Sequence, residues 1–435
     1  MSEVIKKAVA ARQASYGLAK LSTEAKNAAL KAVAEAIWTH RESLLEANHK
    51  DLEAADGMLQ TGEITEALMK RLALNTGKVQ GIVEMVNSVA SLDDPVGRTA
   101  YARELDKGLD LFRVTSPLGV VAVIFESRPD ALVQIASLCL KSGNSVLLKG
   151  GSEARHSNRK LYSIIKEATG DLPEGWIQIM EAREEVTKLL ELDAYVDLII
   201  PRGSNAFVRY IQNNTRIPVL GHADGVCHIY VDSDADLDMA VEVCLDAKVQ
   251  YPSVCNAVDT ILVHEDIAQS FLAPMVEKLL GKDVEVRGGE RVLEIIDAGI
   301  KGATEDDWGY EYLDYIVALK IVSDAEEAIN HINRYGSHHT DAVITGTAET
   351  AAYFIDSVDS ANVFWNASTR FADGYRYGLG SEVGISTGKI HARGPSGLEG
   401  LTIYRYILRG GGHIVADYVG EDARKFTHRP IDEEW

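Results

Sequence analysis

Apolar residues in the first ninety positions recur with the spacing of helices. Ser22 can cap a helix because its side chain accepts hydrogen bonds from unpaired amides, and Glu24 follows in the first turn, where the helix dipole favours an anion. The apolar residues after it recur at intervals close to three or four positions: Ala25, Ala29, Val33, Ile37, Leu44 and Leu45. We therefore predict scaffold helices over residues 1–90.

The pattern changes between residues 101 and 115, where two roughly alternating runs flank Asp106, Lys107 and Gly108. Alternation predicts strands, and glycine permits the positive φ of a tight turn. The segment is therefore predicted to be a β-hairpin. It could be an arm that pairs with a neighbouring subunit, because exposed strand edges pair with other chains, or an edge ribbon within its own subunit.

From Pro117 onward, short apolar runs alternate with helical segments. Continuous apolar runs are typical of parallel strands covered by helices on both faces, so the predicted fold class is α/β. In the first set, the predicted strands are 119–124, 145–148 and 196–200, and the helices are 131–140, one from about 152 and one near 206. In the second set, the strands are 257–264, 315–322 and 360–365, and the helices are 267–280 and 325–333. The tail after Gly400 contains one more strand, LTIYRYIL.

Composition narrows the class of function. The 435 residues include 44 Lys and Arg and 65 Asp and Glu, and the net charge of −21 would repel nucleic acid unless a basic patch overrode it. The sequence contains no such patch and no run of 18 apolar residues that could span a bilayer. Four cysteines are too few for a disulfide framework. We therefore expect a cytoplasmic protein that binds neither nucleic acid nor membranes.

Two predicted strands end in basic turns that contain glycine. One turn is Lys-Gly-Gly-Ser at 149–152 and the other is Arg-Gly-Ser at 202–204, and each opens a helix. Free amides at a helix start together with a cation can bind phosphate or ribose hydroxyls. Neither turn matches G-x-G-x-x-G, so ordinary βα turns are the alternative to a dinucleotide site. Adjacent strands of one parallel sheet that both end in such turns would place a ligand at its carboxyl edge, which favours the site.

Cys255 differs from the other three cysteines in its neighbours. Cys139 and Cys244 lie among apolar helical residues, as core residues do, and Cys227 at a strand start is ambiguous. Cys255 follows a proline-led turn and precedes Asn256, where a thiol can be presented and a backbone N–H can point at a developing oxyanion. The alternative is a structural cysteine, because reactivity also requires nearby positive charge or a helix start.

Glycine and basic residues are dense between residues 366 and 400. Arg370, Lys389 and Arg393 lie in loops that glycine would keep close to a ligand, and this arrangement suits an anionic substrate. Arg128 lies at the end of another strand. Each arginine taken singly is more often a surface ion-pair partner, whereas several at strand ends and glycine loops favour a site.

No metal motif is found in the sequence. His338 and His339 are adjacent, so their side chains are expected to diverge, and no H-E-x-x-H or paired Cys/His spacing occurs. His222 and His391 could be polar residues of a site, although a lone histidine is more often structural. We therefore expect no bound metal.

Six long sequence words follow one another along nearly the whole chain. They are FESRPDALVQIASLCLKSGNSVLLKGGSEA, IIPRGS, PSVCNA, NASTRFADG, GLGSEVGIST and HARGPSGLEGLTIY. In these words the chain resembles the gamma-glutamyl phosphate reductase family of the aldehyde dehydrogenase superfamily. The resemblance implies two Rossmann-like parallel-sheet domains of aldehyde dehydrogenase type plus a small β oligomerisation element. It also implies NADPH-dependent reduction of L-glutamate 5-phosphate to L-glutamate 5-semialdehyde with release of phosphate, the second step of proline biosynthesis.

The same resemblance implies a domain plan and partners. Residues 1–100 and 117–250 would form the NADP(H)-binding domain, residues 251–395 the catalytic domain, and residues 101–116 and 396–435 the oligomerisation hairpin and C-terminal strand and tail. A homo-oligomer, dimer or tetramer, is expected. Because helices that match the reductase begin almost at Met1, we expect no fused kinase, and a complex with a separate glutamate 5-kinase is a hypothesis.

Site residues follow from the matching words. Cys255 is the implied nucleophile, which attacks the acyl phosphate to form a thioester, and Asn256 is the second catalytic candidate. The candidates for substrate binding are Arg128, Ser253, Asn366, Arg370 and Arg393. The candidates for binding NADP(H) are Lys149, Gly150, Ser152, Glu153, Arg202, Gly203, Ser204 and Glu311. Within this set, Lys149 resembles the lysine at the adenosine ribose or its phosphate, and Ser204 lies in the turn that resembles the pyrophosphate loop. Glu311 lies outside the six words, before the strand at 315–322, and is matched to the acidic residue at the nicotinamide ribose.

One segment departs from the superfamily pattern. Where hydrolytic members carry a glutamate in E-L-G-G that activates water, this chain has Leu220-Gly-His-Ala-Asp224. Without that glutamate, a thioester on Cys255 should react poorly with water and be left for hydride or phosphate. Asp224 could in principle replace the missing base.

Overall fold

The computed structural model describes residues 2–61, 64–126, 128–181, 184–222, 224–296 and 299–435. Ser127 and Ala223, which belong to two of the segments discussed above, lie outside the described residues. The chain forms two compact units. Unit 1 comprises Met1–Leu220, Leu379–Gly384 and Ser396–Trp435, and unit 2 comprises Gly221–Gly378 and Ile385–Pro395.

The N-terminal part of unit 1 is helical, as predicted. Its helices are α1 Glu3–Leu18, α2 Thr23–Thr39, α3 Arg41–Gln60, α4 Glu66–Leu72 and α5 Thr76–Ser91. Ser22 caps α2, because its hydroxyl accepts a hydrogen bond from the amide of Ala25 at 3.3 Å. The predicted stripe faces inward at Val33, Ile37 and Leu44, which are buried. None of the helices in the described part of the chain combines the length and apolarity that a bilayer-crossing segment needs.

A four-stranded parallel sheet forms the centre of unit 1. The elements that follow α5 are β1 Thr99–Asp106, β2 Leu109–Pro117, β3 Val120–Phe125, α6 Pro129–Lys141, β4 Ser145–Lys149, α7 Arg155–Ala168, β5 Ile177–Met180, α8 Glu184–Leu189, β6 Leu198–Arg202 and α9 Asn205–Asn213. The strand order is β5-β4-β3-β6, and every pair is parallel. The two basic turns share the carboxyl edge of the sheet, but the prediction that their strands are adjacent is wrong, because β3 lies between β4 and β6.

Unit 2 contains a second, seven-stranded parallel sheet. Its elements are β7 His228–Val231, α10 Leu237–Val249, β8 Thr260–His264, α11 Ala268–Leu280, β9 Glu285–Gly288, α12 Glu290–Leu293, β10 Lys301–Gly302, β11 Ile316–Val322, α13 Ala325–Tyr335, β12 Thr340–Ile344, α14 Ala348–Ser357 and β13 Asn362–Trp365. The strand order is β10-β9-β11-β8-β7-β12-β13. Two parallel sheets of this kind confirm the predicted α/β fold class.

The division between the units falls earlier than residue 250, after which the sequence predicts the catalytic domain to begin. Residues 221–250 belong to unit 2 because β7 pairs with β8 on one side and with β12 on the other. The α10 helix packs on the same core, where Cys244 and Ala247 are buried. Which ligand each unit binds remains a prediction.

The C-terminal tail joins the predicted hairpin in an antiparallel sheet within unit 1. The last strands are β14 Gly384–Ser386, β15 Gly394–Ser396, β16 Thr402–Arg409 and β17 Arg429–Ile431. The sheet of the hairpin and the tail has the order β16-β2-β1-β17, and β14 pairs only with β15 among the described strands. Phe112 of β2 is fully buried in the small core of this sheet. The hairpin therefore pairs with strands of its own chain, while most of β16 is exposed. Whether β16 also pairs with a second copy is a separate question.

Candidate active site

Cys255 lies on a turn just before β8, the central strand of unit 2. Cys139, Cys227 and Cys244 are fully buried, and burial raises the pKa of each of these thiols. Cys255 is only half-buried. Of the four cysteines, all of which are described, Cys255 is therefore the one whose thiol a substrate can reach.

The backbone of this turn is clamped by the segment that leads into β7. The buried Sγ of Cys227 donates a hydrogen bond to the carbonyl oxygen of Cys255 at 3.2 Å. A Cβ built on Gly225 would lie 2.4 Å from the same oxygen, so a side chain at Gly225 would displace the turn. Beyond the turn, the amide of Asp259 donates to the carbonyl of Cys227 at 2.9 Å. These contacts fix the backbone of the turn that carries the thiol.

Two histidines adjoin the thiol. One side-chain ligand atom each of His222, Cys255 and His339 lie within 4.8 Å of one another. The two imidazole rings meet edge to face, with 4.8 Å between their centroids. The three residues precede β7, β8 and β12, which are neighbours in the parallel sheet, so the chain enters these strands at the same edge. His222, Cys255 and His339, together called the cysteine cluster, thus lie at the amino edge of their sheet.

Sequence reasoning missed the pairing of these histidines with Cys255. The side chains of His338 and His339 do diverge, because Nδ1 of His338 contacts the carbonyl oxygen of Asp359 at 2.6 Å while His339 joins the cysteine cluster. The only sequence signal was the L-G-H-A-D segment, where a histidine stands beside the position of the missing glutamate.

The residues next to the thiol supply donors and positive charge. Asn256 is buried, and its Nδ2 donates to the carbonyl oxygen of Ala372 at 2.8 Å. Within the described part of the chain, the backbone N–H groups of Cys255 and Asn256 make no hydrogen bond, so both can donate to a bound oxyanion. Burial and the charge of Arg376 lower the pKa of Arg370, whereas the charge of an ionised Cys255 raises it, so the guanidinium interacts electrostatically with the thiol.

The other candidates for substrate binding are placed differently. Ser253 is exposed on the cysteine turn. The side-chain amide of Asn366 is engaged with the backbone of Thr345, accepting from its N–H and donating to its carbonyl, each at 3.0 Å. Arg393 pairs with Asp359 at 3.0 Å. The structure thus brings Arg370 and Ser253 to the region of Cys255 and gives the other two unit 2 candidates structural partners.

Arg128, the remaining substrate candidate, lies in unit 1 at the start of α6. Its guanidinium is half-exposed and pairs with Asp130 at 3.0 Å. An exposed ion pair of this kind contributes little to stability, so a ligand could compete for the arginine at small cost. Its substrate role stays a prediction.

The first basic turn of unit 1 borders a cleft of about 320 Å³. Its lining comes from the ends of β4 and β5 and the start of α7: Gly150, Gly151, Ser152, Arg155, Asn158, Ile179, Met180 and Glu181. A Cβ on Gly150 would lie 2.2 Å from Nδ2 of the buried Asn158. Glycine is therefore required for this wall, and the cradle together with the Arg155 cation fits the ribose and phosphates of a nucleotide.

The remaining cofactor candidates divide between the two units. Lys149 is buried at the end of β4, and its ammonium donates to the carbonyl of Gly150 at 2.7 Å. In the second turn, two candidates contact the carboxylate of Glu126. The amide of Ser204 donates a hydrogen bond to it, and a Cβ on Gly203 would lie 3.0 Å from it. Glu153 and Arg202 have partners within the protein. Glu311 belongs to unit 2, where burial raises the pKa of Cys227 and the charge of Glu311 adds a smaller contribution.

The fold and the site define a protein of aldehyde dehydrogenase type. It has two helix-covered parallel sheets, an accessible cysteine on the turn before a central strand, and a glycine-lined cleft. The sequence matches the profile described as "Aldehyde dehydrogenase family" over residues 2–289. Gamma-glutamyl phosphate reductase of Natronomonas pharaonis is 59% identical over 426 residues, which cover 98% of this chain and 97% of that protein. The enzyme of the same name from Methanosarcina mazei is 53% identical over 438 residues, which cover 99% and 98%.

A solved structure agrees with these relatives. The crystal structure of gamma-glutamyl phosphate reductase from Thermotoga maritima matches with a TM-score of 0.91 at 41% identity, covering 95% of this chain and 100% of that one. The chain belongs to the gamma-glutamyl phosphate reductase family, a group of oxidoreductases within the aldehyde dehydrogenase family.

Proposed function

We propose that this chain reduces L-glutamate 5-phosphate to L-glutamate 5-semialdehyde in proline biosynthesis, with NADPH as the reductant and release of phosphate. The observation that carries the proposal is the placement of Cys255. Its thiol alone among the four is accessible, and it stands on a clamped turn whose two N–H groups are unpaired within the described chain. The identity of the substrate is inferred from the relatives, which carry the name gamma-glutamyl phosphate reductase.

In the first half-reaction Cys255 is the nucleophile. Its thiolate attacks the carbonyl carbon of the acyl phosphate, and the amides of Cys255 and Asn256 stabilise the oxyanion that develops. The bond between carbon and the phosphate oxygen then breaks, so that phosphate leaves with the electron pair and a thioester remains on Cys255. The guanidinium of Arg370 provides a positive charge that can attract the anionic substrate.

The second half-reaction restores the thiolate. Bound NADPH would supply the hydride that reduces the thioester carbon. The sulfur of Cys255 then takes back the electron pair of the carbon–sulfur bond, and the aldehyde is released. The segment where hydrolytic relatives carry the activating glutamate lacks that residue here, so water is poorly activated against the thioester unless Asp224 of the same segment replaces the base.

The cleft of unit 1 is the proposed place for the adenosine end of NADPH. Gly150, Gly151 and Ser152 leave room and backbone donors for the ribose and its phosphates. Arg155 lines the same cleft and can pair with the 2′-phosphate that distinguishes NADPH from NADH. The second turn, with Arg202, Gly203 and Ser204, is the proposed place for the pyrophosphate.

We extend the proposal to assembly and surroundings. The open edge of β16 would pair with a second copy of this chain, giving a homo-oligomer that acts in the cytoplasm. The substrate is a labile acyl phosphate and must be made by a kinase that phosphorylates the side-chain carboxylate of glutamate. Direct contact with that kinase stays a hypothesis, and copurification at physiological salt without any kinase would count against it.

The reverse reaction tests the proposal. Glutamate semialdehyde, NADP⁺ and phosphate are supplied to the wild type and to Cys255→Ala, and NADPH formation is followed. We expect formation that requires phosphate in the wild type and none in Cys255→Ala, with thermal melting as the control for folding. Formation without phosphate would instead identify an ordinary aldehyde oxidiser, and an inactive wild type would refute the substrate. A non-catalytic relative would keep its role in Cys255→Ala.

A further inference from the structure

We infer that His222, Cys255 and His339 form a binding site for a thiophilic divalent cation, Zn²⁺ above all, whose binding reversibly blocks the thiol. One ligand atom from each residue lies within 4.8 Å of the other two. The three belong to different segments of unit 2 and are brought together by neighbouring strands of one sheet. No metal motif is visible in the sequence because none of these residues is close to another along the chain.

An independent feature at the same place points to a ligand. His339 is fully buried, and its Nε2 has no hydrogen-bond partner within the described chain. Buried polar atoms are normally paired because leaving one unsatisfied costs free energy. The other ring nitrogen, Nδ1, is 2.8 Å from the hydroxyl of Thr340. A cation would satisfy the unpaired nitrogen.

The second histidine has the proton arrangement that metal ligands show. Nδ1 of His222 lies 2.9 Å from the carbonyl oxygen of Ile385. Since a carbonyl oxygen only accepts, Nδ1 carries a proton, so in the neutral ring Nε2 is the nitrogen with the lone pair. In protein metal sites the second ring nitrogen of a histidine commonly donates to a backbone carbonyl in this way, which fixes the tautomer and the ring orientation.

The donor set selects the cation. One thiolate and two neutral imidazoles suit Zn²⁺, which in sites with an open position takes three protein ligands and a water. Bonds of about 2.0 Å to nitrogen and 2.3 Å to sulfur place ligand atoms roughly 3.3–3.8 Å apart, so the cluster must contract by about 1 Å. Cys255 and His222 are both half-buried and can supply this movement by side-chain rotation. Binding replaces the proton of the thiol with the metal and releases that proton to solvent.

Occupancy of this site would stop acylation. A thiolate whose electron pair is bound to Zn²⁺ cannot attack a carbonyl carbon, and removal of the metal restores the free thiol. Binding itself does not rest on the proposed reaction, whereas the inhibition does. The two can therefore fail separately.

The experiment is a titration of the reduced full-length chain with Co²⁺, which reports thiolate ligation by a sulfur-to-metal charge-transfer band. We expect the band in the wild type at one equivalent per chain, its disappearance on addition of Zn²⁺, and no band in Cys255→Ala. His222→Gln should weaken binding more than the roughly 10–100-fold that loss of a mere outer-shell partner costs. His49→Gln, at an exposed position of α3, is the matched control and should bind as the wild type does.

Cys227 provides the decisive alternative, because its Sγ lies 3.8 Å from Nδ1 of His339. A band that persists in Cys255→Ala and disappears in Cys227→Ala would overturn the assignment, as would the absence of a band in the wild type. Melting curves of each variant show whether it is folded. In the phosphate-dependent assay, Zn²⁺ should inhibit the wild type and EDTA should restore activity. If that assay shows no activity at all, the cobalt band still decides the metal site.

Discussion

Gly225 lies so close to Cys255 that a Cβ added to the glycine would stand 2.5 Å from the Cβ of the cysteine and 2.7 Å from its Cα. Two of the three nearest atoms belong to the backbone of Cys255, which has no rotamer that could relieve the contact. The absence of a side chain at Gly225 therefore determines how closely the turn that carries Cys255 can approach the segment that leads into β7.

The variant Gly225→Ala should separate thiol placement from cofactor binding. The methyl group pushes Cys255 away by an appreciable fraction of an ångström, and a misplacement of about 1 Å can cost on the order of 100-fold in rate. We expect kcat to fall by about that factor, while the KM for NADPH changes little because the proposed nucleotide cleft is built by unit 1. Steady-state kinetics with both substrates measure this.

The control for this glycine is Gly57→Ala. Gly57 is exposed in α3, and no atom lies within 4 Å of the Cβ that would be added. Alanine there should leave kcat unchanged and raise helix stability slightly. Wild-type kcat in Gly225→Ala would show that the turn can shift without loss and would contradict the proposed requirement for close approach.

Arg155→Ala tests the preference for NADPH over NADH. If Arg155 pairs with the 2′-phosphate, its loss removes a charge-assisted interaction of about 1.5–3 kcal/mol, which is roughly a 10–100-fold rise in the KM for NADPH. The KM for NADH should change little. Lys166→Ala, at an exposed position of the same helix, removes the same charge away from the cleft and serves as the control. An equal loss with both nucleotides would argue against recognition of the 2′-phosphate.

The interior of both sheets could be predicted from sequence because strands covered on both faces are continuous apolar runs. The predicted runs at 119–124 and 145–148 coincide with β3 and β4 to within one residue. Where the chain is less apolar, prediction failed. The strand β9, Glu285–Gly288, carries two charged residues, and β8 begins three residues later than predicted because the amide of Ala257 bonds to Val254 in a turn.

The candidate site shows the same limit. Cys255 could be singled out by its turn and by the family words, whereas its neighbourhood with His222 and His339 depends on strand order. Sequence order places β12 far from β7, yet the two are paired in the sheet, and the loops that precede them meet at one edge. The cleft around Arg155 likewise needs the adjacency of β4 and β5. Such long-range pairing is a property of topology rather than of local pattern.

The exposed strand β16 predicts how copies of the chain associate. Within the described chain it pairs only with β2, and Tyr404, Tyr406 and Leu408 are largely exposed. A charge placed on an edge strand opposes pairing with another chain. We expect Leu408→Glu to shift the oligomer toward smaller species in size-exclusion chromatography with light scattering. Ile355→Glu, at a comparably exposed apolar position of α14, should not. A monomeric wild type would refute this assembly.

Asp307 makes the stability of unit 2 sensitive to acid. Burial raises the pKa of its carboxyl, but hydrogen bonds from the backbone of Thr304, from Arg287 and from Tyr312 have the larger combined effect. Together they lower the pKa from an ordinary value of 3.8 to about 2. A carboxyl whose pKa is depressed by folding stabilises the protein above the unfolded pKa, and the contribution is lost as the pH falls toward the folded pKa. A difference of this size corresponds to roughly 2 kcal/mol.

The free energy of unfolding, measured by urea denaturation between about pH 4 and pH 2, should therefore fall less steeply in Asp307→Asn than in the wild type. The variant should also be less stable near neutral pH. The neighbouring Asp306 is exposed, and Asp306→Asn is the matched control. Parallel pH profiles for Asp307→Asn and the wild type would mean that Asp307 does not carry this sensitivity.

A buried ion pair between Lys248 and Asp259 anchors the strand that follows the turn of Cys255. Substitutions of the two residues should therefore have non-additive effects on the free energy of unfolding. Lys248 of α10 is fully buried with its ammonium 3.5 Å from the carboxylate of Asp259, just before β8. Burial lowers the pKa of Lys248 and raises that of Asp259, so each charge depends on the other to remain ionised.

Lys248→Met alone leaves an uncompensated buried carboxylate, which should cost about 3–5 kcal/mol of unfolding free energy. Adding Asp259→Asn removes that charge, so the double variant should be more stable than the sum of the single effects predicts, by 0.5 kcal/mol or more in urea titrations. Strictly additive effects would mean that the two groups do not interact, and the anchoring would then rest on the other hydrogen bonds of Asp259, which its amide donates to the carbonyl of Cys227 and its carboxylate accepts from the amides of Cys227 and Tyr312.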